Sequence, residues 1–176
     1  VMSLDQFPGF CPAEETGTTF LENARLKAQA AASFTGLPSL ADDSGLEVDA
    51  LGGAPGVISS RYGGREGDDA ANIARLLREL EGVPEEMRGA RFVCTLVLAH
   101  PDGRWVFLEG VCRGRIALDP RGSGGFGYDP VFIPEGMDRT MAQLTVEEKN
   151  ALSHRGKAMR ALREMLERGE PPWLWE

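Results

Sequence analysis

The chain has 176 residues, 42% of them hydrophobic and 26% charged, with 19 Lys+Arg against 27 Asp+Glu and a formal net charge of −8. That length suits a single domain, which buries roughly 70% of its unfolded surface and needs neither disulfides nor a structural metal to fold. The acidic balance argues against a protein that coats nucleic acid, because phosphate neutralisation needs a surplus of Lys and Arg. It leaves room for one small anionic ligand held by a few local cations or a metal ion. Cys11, Cys94 and Cys112 are an odd number without C-x-x-C spacing, which points to a reducing compartment. The sequence has no apolar window of about 18 residues, and Val1–Asp5 does not read as a signal peptide. The expectation is a soluble cytoplasmic protein with no membrane partner.

The elements follow in chain order. Thr19-Phe-Leu-Glu22 reads as a capping box, and the Ala-rich run behind it predicts a helix that ends near Gly36. Leu46, Val48 and Ala50 alternate with Glu47 and Asp49 as in a half-buried strand, with Asp42-Asp43-Ser44-Gly45 at a strand end. The Gly-rich stretch 51–67 reads as a long loop. Asp69 is placed to cap the next helix, whose Ile73, Leu76, Leu77 and Leu80 share one face. Residues 91–99 and 104–112 read as strands around a Pro101-Asp-Gly103 turn, and Cys94 as a small core residue within the first of them. Residues 121–129 form a second Gly-rich loop, followed by a short strand at 131–133. Thr145-Val-Glu-Glu148 is another capping box, opening a helix that runs to Leu166 with a break marked by Gly156. Hairpin-like pairs beside helix-linked strands predict an α/β fold with a mixed sheet.

Three constellations carry chemistry. Asp42 and Asp43 suit a hard cation such as Mg²⁺, and one of them can activate a water; the same tetrapeptide also reads as an ordinary turn. Glu14-Glu15 lies just ahead of the first helix, so Glu15 is placed to share a metal with Asp43, or to face the helix dipole. In Ser123-Gly-Gly-Phe-Gly-Tyr-Asp-Pro130 the glycines allow close approach to a ligand, and Phe126 or Tyr128 offers a face for a base, or plugs the core. Glu148-Lys-Asn-Ala-Leu-Ser-His-Arg-Gly156 places Lys149, His154 and Arg155 on or beside a helix, where such charges often form a solvated face. Arg155 would lower the pKa of His154 and keep it neutral near pH 7, with one donor and one acceptor. Lys27 is a further cation on the first helix. A metal, lysines, an aromatic shelf and directional donors together describe a nucleoside triphosphate pocket. Neither a P-loop nor a Rossmann motif is present.

Glu15-Thr-Gly-Thr-Thr-Phe-Leu-Glu-Asn-Ala24, Leu40-Ala-Asp-Asp-Ser-Gly-Leu46, Leu51-Gly-Gly-Ala-Pro-Gly56, Ser60-Arg-Tyr62, Gly122-Ser-Gly-Gly-Phe-Gly-Tyr-Asp-Pro130 and Glu147-Glu-Lys-Asn-Ala-Leu-Ser-His-Arg-Gly156 resemble the inosine triphosphate pyrophosphatase family. The bacterial members are XTP/dITP diphosphatases, and the resemblance runs over nearly the whole chain. It implies Mg²⁺-dependent hydrolysis of ITP, dITP and XTP to monophosphate and pyrophosphate by a homodimer. The family fold is an α/β protein with a long mixed sheet and a cleft between two lobes. Matched by position, Asp43 would be the proton acceptor and a metal ligand, with Asp42 beside it and Glu15 also on the metal. Ser44, Lys27 and Lys149 would face the triphosphate. Phe126, Gly127, Tyr128, Asp129, His154 and Arg155 would form the base pocket.

In this family a strand and a Thr/Ser-x-Asn-x-x-Lys phosphate loop precede the point that matches Val1. The expectation is a single domain whose protein is longer by about 25 residues on typical element lengths. Two rivals stand beside this reading: a Maf-like pyrophosphatase for other modified nucleotides, and a nucleotide-binding protein without turnover.

Overall fold

The computed structural model describes residues 1–175. Helices and strands combine in an α/β fold, as the sequence predicts. One sheet carries β1 (Ser39–Val48), β2 (Gly89–Ala99), β3 (Trp105–Ile116) and β4 (Phe132–Pro134) in that spatial order. All three neighbouring pairs are antiparallel, so the parallel pairing of a mixed sheet is not found among the described residues. The connection from β1 to β2 runs through α2 (Asp69–Glu79), yet Val48 pairs with Ala90, so the chain leaves and re-enters the sheet at the same end. The turn between β2 and β3 is closed by hydrogen bonds from His100 N–H to the Arg104 carbonyl and from Gly103 N–H to the His100 carbonyl.

Helices cover both faces. On one face lies α1 (Phe20–Thr35), opened by the predicted capping box. Thr19 Oγ accepts from Glu22 N–H at 3.1 Å, and the Glu22 carboxylate accepts from Thr19 N–H at 3.2 Å. Gly36 ends α1 in the left-handed conformation at φ 69°, where a side chain would strain the backbone. Ala24, Ala28 and Ala32 recur every four residues and pack on Val97 and Ala99. On the opposite face lies α4 (His154–Glu167), with Ala158, Leu162 and Met165 against Cys94, Leu96 and Leu98. Cys94 is a core residue, as expected. At the far end of that face, Leu76 of α2 and Leu80 at its C-cap meet Leu46, Val48, Phe92, Phe132 and Met141.

Several local boundaries differ from the sequence expectation. The Asp42–Gly45 run lies inside β1, not at its end. Asp, Ser and Gly disfavour strands, but ladder pairing with β2 from Ser39 to Val48 overrides that preference. Asp68, not Asp69, caps α2, through a bond from Ala71 N–H. The helical break falls at Ser153, not Gly156. Ser153 ends α3 (Val146–Leu152) and caps α4, its Oγ accepting from Gly156 N–H at 3.0 Å. Within the predicted 51–67 loop, Gly56–Arg61 coils into a 3₁₀ segment.

Arg88 closes the end of the sheet beside α2. It is buried and donates to the backbone carbonyls of Val83, Ala117 and Leu80. Replacing it with Met keeps the volume and strands all three acceptors. Arg88→Met is expected to cost about 3 kcal/mol or more. For a chain of this size that lowers Tm by about 10 °C. Thermal melting followed by far-UV circular dichroism checks it, and a Tm unchanged within experimental scatter contradicts it.

Candidate functional site

Two clusters of side chains meet at β1, one on each face of the sheet. Consecutive side chains of a strand point to opposite faces. Asp43 therefore faces α1, while Asp42 and Ser44 face α4.

On the α1 side, Asp43 is buried. Asn23 Nδ2 donates to Asp43 Oδ2 at 3.2 Å, and Lys27 Nζ donates to Asp43 Oδ1 at 3.0 Å. Lys27 Nζ also donates to Glu15 Oε1 at 2.9 Å. Asn23 and Lys27 are one helical turn apart on α1, so one helix face presents both to the strand. Asn23 is 1% exposed, and its orientation is dictated by its neighbours. Gly17 N–H can only donate, and it bonds Asn23 Oδ1 at 2.8 Å, so the amide nitrogen must face Asp43. A Cβ at Gly17 would lie 2.7 Å from that Oδ1, so glycine lets the loop carrying Glu15 settle on α1. Burial raises the Asp43 pKa, and Lys27 and Asn23 only partly offset it, so the net direction is upward. Burial lowers the Lys27 pKa, but its bonds to Glu15 and Asp43 outweigh that and leave it raised. Lys27 is therefore a cation at neutral pH.

Carboxylate oxygens of Glu15 and Asp43 thus converge on one cationic position. No cluster of three or more His, Cys, Asp or Glu suited to a metal exists among the described residues. Two carboxylates match the way Mg²⁺ is usually held, with waters and substrate phosphates completing its shell. The donor set fits that ion.

On the α4 side a cavity of about 220 Å³ is lined by Ser44, Phe92, Phe126, Tyr128, His154 and Arg155, among others. Small residues open the way to it. Ser44 pairs with Cys94, and Cys94 with Gly110, in one row across three strands. A Cβ on Gly110 would collide with the His154 carbonyl, so glycine there lets the start of α4 reach the sheet. Arg160 donates to the carbonyls of Asn150 and Ala151, which satisfies the open end of α3 and fixes its corner with α4. That corner brings both Lys149 and Arg155 to the Phe126 ring. Lys149 Nζ lies 4.5 Å and Arg155 Cζ 6.0 Å from the Phe126 ring centroid.

Of the two aromatics in the Gly-rich loop, Phe126 is 62% exposed and offers its face. Tyr128 is 4% exposed, and its hydroxyl donates to the Ser59 carbonyl at 2.7 Å. It forms part of the cavity wall from within the core. Asp129 is buried and pairs with Lys149, so Lys149 stands with the base-pocket group and not beside Lys27. Gly127 N–H donates to Asp69 Oδ2 at 2.7 Å, tying the loop to the start of α2. The imidazole of His154 stacks on Phe92 with ring centroids 4.9 Å apart. Burial first, then the charge of Arg155, lowers its pKa from 6.5 to about 4. It is neutral at pH 7, as expected, though burial is the larger cause. Its Nδ1 is buried and has no hydrogen-bond partner among the described residues.

All the expected residues therefore gather around β1, divided between its two faces. Asn23, Ser59 and Asp69 join them and were not anticipated. A signal existed for Asn23, a weak helix former one turn before Lys27 in an Ala-rich helix. Ser59 and Asp69 carried none, since their partners lie 69 and 58 residues away.

The chain is similar to known proteins over most of its length. A Streptomyces coelicolor protein named dITP/XTP pyrophosphatase is 54% identical over 162 residues, covering 92% of this chain and 81% of that protein. The crystal structure of a nucleoside-triphosphatase, or dITP/XTP pyrophosphatase, from Mycobacterium abscessus superposes with a TM-score of 0.82 at 52% identity, covering 94% and 84%. The Staphylococcus aureus Ham1 protein superposes with a TM-score of 0.88 at 44% identity, covering 95% and 85%. A sequence profile of the Ham1 family matches residues 1–165, and the chain belongs to that family.

Proposed function

We propose that this chain hydrolyses non-canonical purine nucleoside triphosphates, ITP, dITP and XTP, to the monophosphate and pyrophosphate. The observation that carries this reading is the division of the site across β1. A carboxylate held by a lysine and an amide sits on one face, and a base-sized cavity with an aromatic shelf and a neutral histidine sits on the other. The relatives named dITP/XTP pyrophosphatase support it.

In this mechanism the base enters the cavity against Phe126, and the phosphates lie toward Asp43. Asp43, held in place by Lys27 and Asn23, accepts a proton from the water that attacks the α-phosphorus. Glu15 and Asp43 would hold Mg²⁺, which when bound supplies charge neutralisation on the phosphates and a more acidic water. Lys27 offers a donor to the phosphate oxygens on the α1 side, and Ser44, its hydroxyl donating to Asp42, lines the cavity through which the substrate enters. Arg155, His154 and Lys149 surround the base edge with Asp129, and donors there match the 6-keto oxygen of hypoxanthine and xanthine. Adenine presents an amino group at that position and leaves those donors unpaired. A cytoplasmic homodimer is part of the same proposal. The three cysteines are free, which suits a reducing compartment.

Steady-state pyrophosphate release from ITP, XTP, GTP and ATP with Mg²⁺ is the direct test, and turnover of ATP at the rate of ITP overturns the reading. Asp43→Asn keeps the shape but cannot take a proton, and is expected to lower kcat by about 10²–10⁴-fold with the fold intact. Arg155→Ala removes a charged donor and is expected to narrow the ITP-to-ATP ratio of kcat/KM by about ten-fold or more. The pH response follows from His154. Below pH 6.5 the unfolded chain binds a proton at this residue, and the folded chain does not until about pH 4. Stability from this group is therefore present above 6.5 and lost as pH falls toward 4. Urea denaturation across that window is expected to show a shallower slope in His154→Gln than in the parent.

A further inference from the structure

Strand alternation separates Asp42 from the acids on the α1 side. Among the described residues, no hydrogen bond or ion pair links it to Glu15 or Lys27. On the α4 side its Oδ2 accepts from Arg155 Nε at 3.1 Å, from Arg155 Nη2 at 3.0 Å, and from Ser44 Oγ at 3.0 Å. Two nitrogens of one guanidinium converge on one oxygen, and these charge-assisted bonds hold the group in position. The same guanidinium stands 6.0 Å from the Phe126 centroid, at the mouth of the cavity. Arg155 is the more exposed partner, with 52% of its side chain accessible against 36% for Asp42. An arginine so exposed samples many rotamers unless something holds it. Asp42 is the partner that holds it, because its own backbone is locked in the β1–β2 ladder opposite Leu96.

We propose that Asp42 is a positioning residue that sets base specificity: it anchors Arg155 beside Phe126 and takes no part in activating water. This rests on the function proposed above, in which Arg155 meets the base. It gives the two adjacent aspartates separate tasks. Asp43 serves the phosphate chemistry on one face of the sheet, and Asp42 serves base recognition on the other.

The test has two arms. The first reads position without substrate, through ¹⁵N relaxation of the Arg155 Nε group by NMR in the parent and in Asp42→Asn. Arg155 is expected to be ordered in the parent and mobile in the variant, and equal order in both overturns the anchoring. The second arm is a double-mutant cycle of Asp42→Asn with Arg155→Ala, read on ITP and ATP. Asp42→Asn is expected to raise KM for ITP and to lower the ITP-to-ATP ratio by about five-fold, the upper range for a partly exposed ion pair. In the Arg155→Ala background the same change is expected to move the ratio by less than about two-fold, because coupled residues are not additive. Equal loss of kcat on both nucleotides, multiplying with Arg155→Ala, overturns the proposal and places Asp42 in the chemistry. A fall in KM for ITP also overturns it, since Asp42 would then compete with the base for Arg155. Asp42→Glu, which keeps the charge one methylene away, supplies the same readouts if Asp42→Asn does not fold. A parent that is inactive on ITP overturns the proposed function, while the NMR arm still decides the anchoring.

Discussion

A β-strand turns each successive side chain to the opposite face, and in β1 that alternation falls across an acidic pair. Asp42 and Asp43 are bonded neighbours in the chain but belong to different layers of the molecule. The antiparallel register with β2 sets which face each receives, placing Asp42 in line with Leu96 and Asp43 in line with Thr95. A slip of one residue would send Asp43 to the α4 side and leave Asn23 and Lys27 without their partner. The site therefore depends on ladder register as much as on any side chain.

On the α1 face the governing balance is between burial and hydrogen bonding. A carboxylate moved away from water becomes harder to ionise, and a cation moved with it becomes easier to neutralise. Lys27 and Asp43 relieve each other, and Glu15 adds a second acceptor for the same ammonium. Asn23 completes the arrangement. Its amide cannot rotate without setting its nitrogen against the Gly17 N–H, so it is fixed as a donor to Asp43. A base built this way keeps its geometry through contacts made before any substrate arrives.

On the α4 face the governing factor is space. The row of Ser44, Cys94 and Gly110 thins the sheet surface where α4 begins, and the helix start descends onto it. The corner at Ser153 then turns the chain so that α3 supplies Lys149 and α4 supplies His154 and Arg155. The Gly-rich loop closes over them, held to the other wall through Tyr128 to Ser59 and Gly127 to Asp69. One tie runs from that loop to the segment between β1 and α2 and the other to the first residue of α2, so three distant segments form one cavity.

Capping boxes, alanine spacing and apolar alternation were legible in the chain because they are local. Thr19 with Glu22, Thr145 with Glu148, and the Leu76–Leu80 face formed as their spacing required. The motifs also marked the site residues, since acids, glycines and cations in these patterns suit a nucleotide. Strand direction was not legible, because connections through helices do not state at which end the chain re-enters the sheet. Nor was the strand interior position of Asp42–Gly45, whose residue types favour a turn until the ladder from Ser39 to Val48 with β2 holds them extended. Burial of Tyr128, the pairing of Lys149 with Asp129, and the hold of Asp42 on Arg155 join residues 69, 20 and 113 positions apart. The sequence by itself determined which side chains are present and which helices form. Tertiary structure alone decided which face each side chain serves, because register and long-range contact arise only when separate segments pack together.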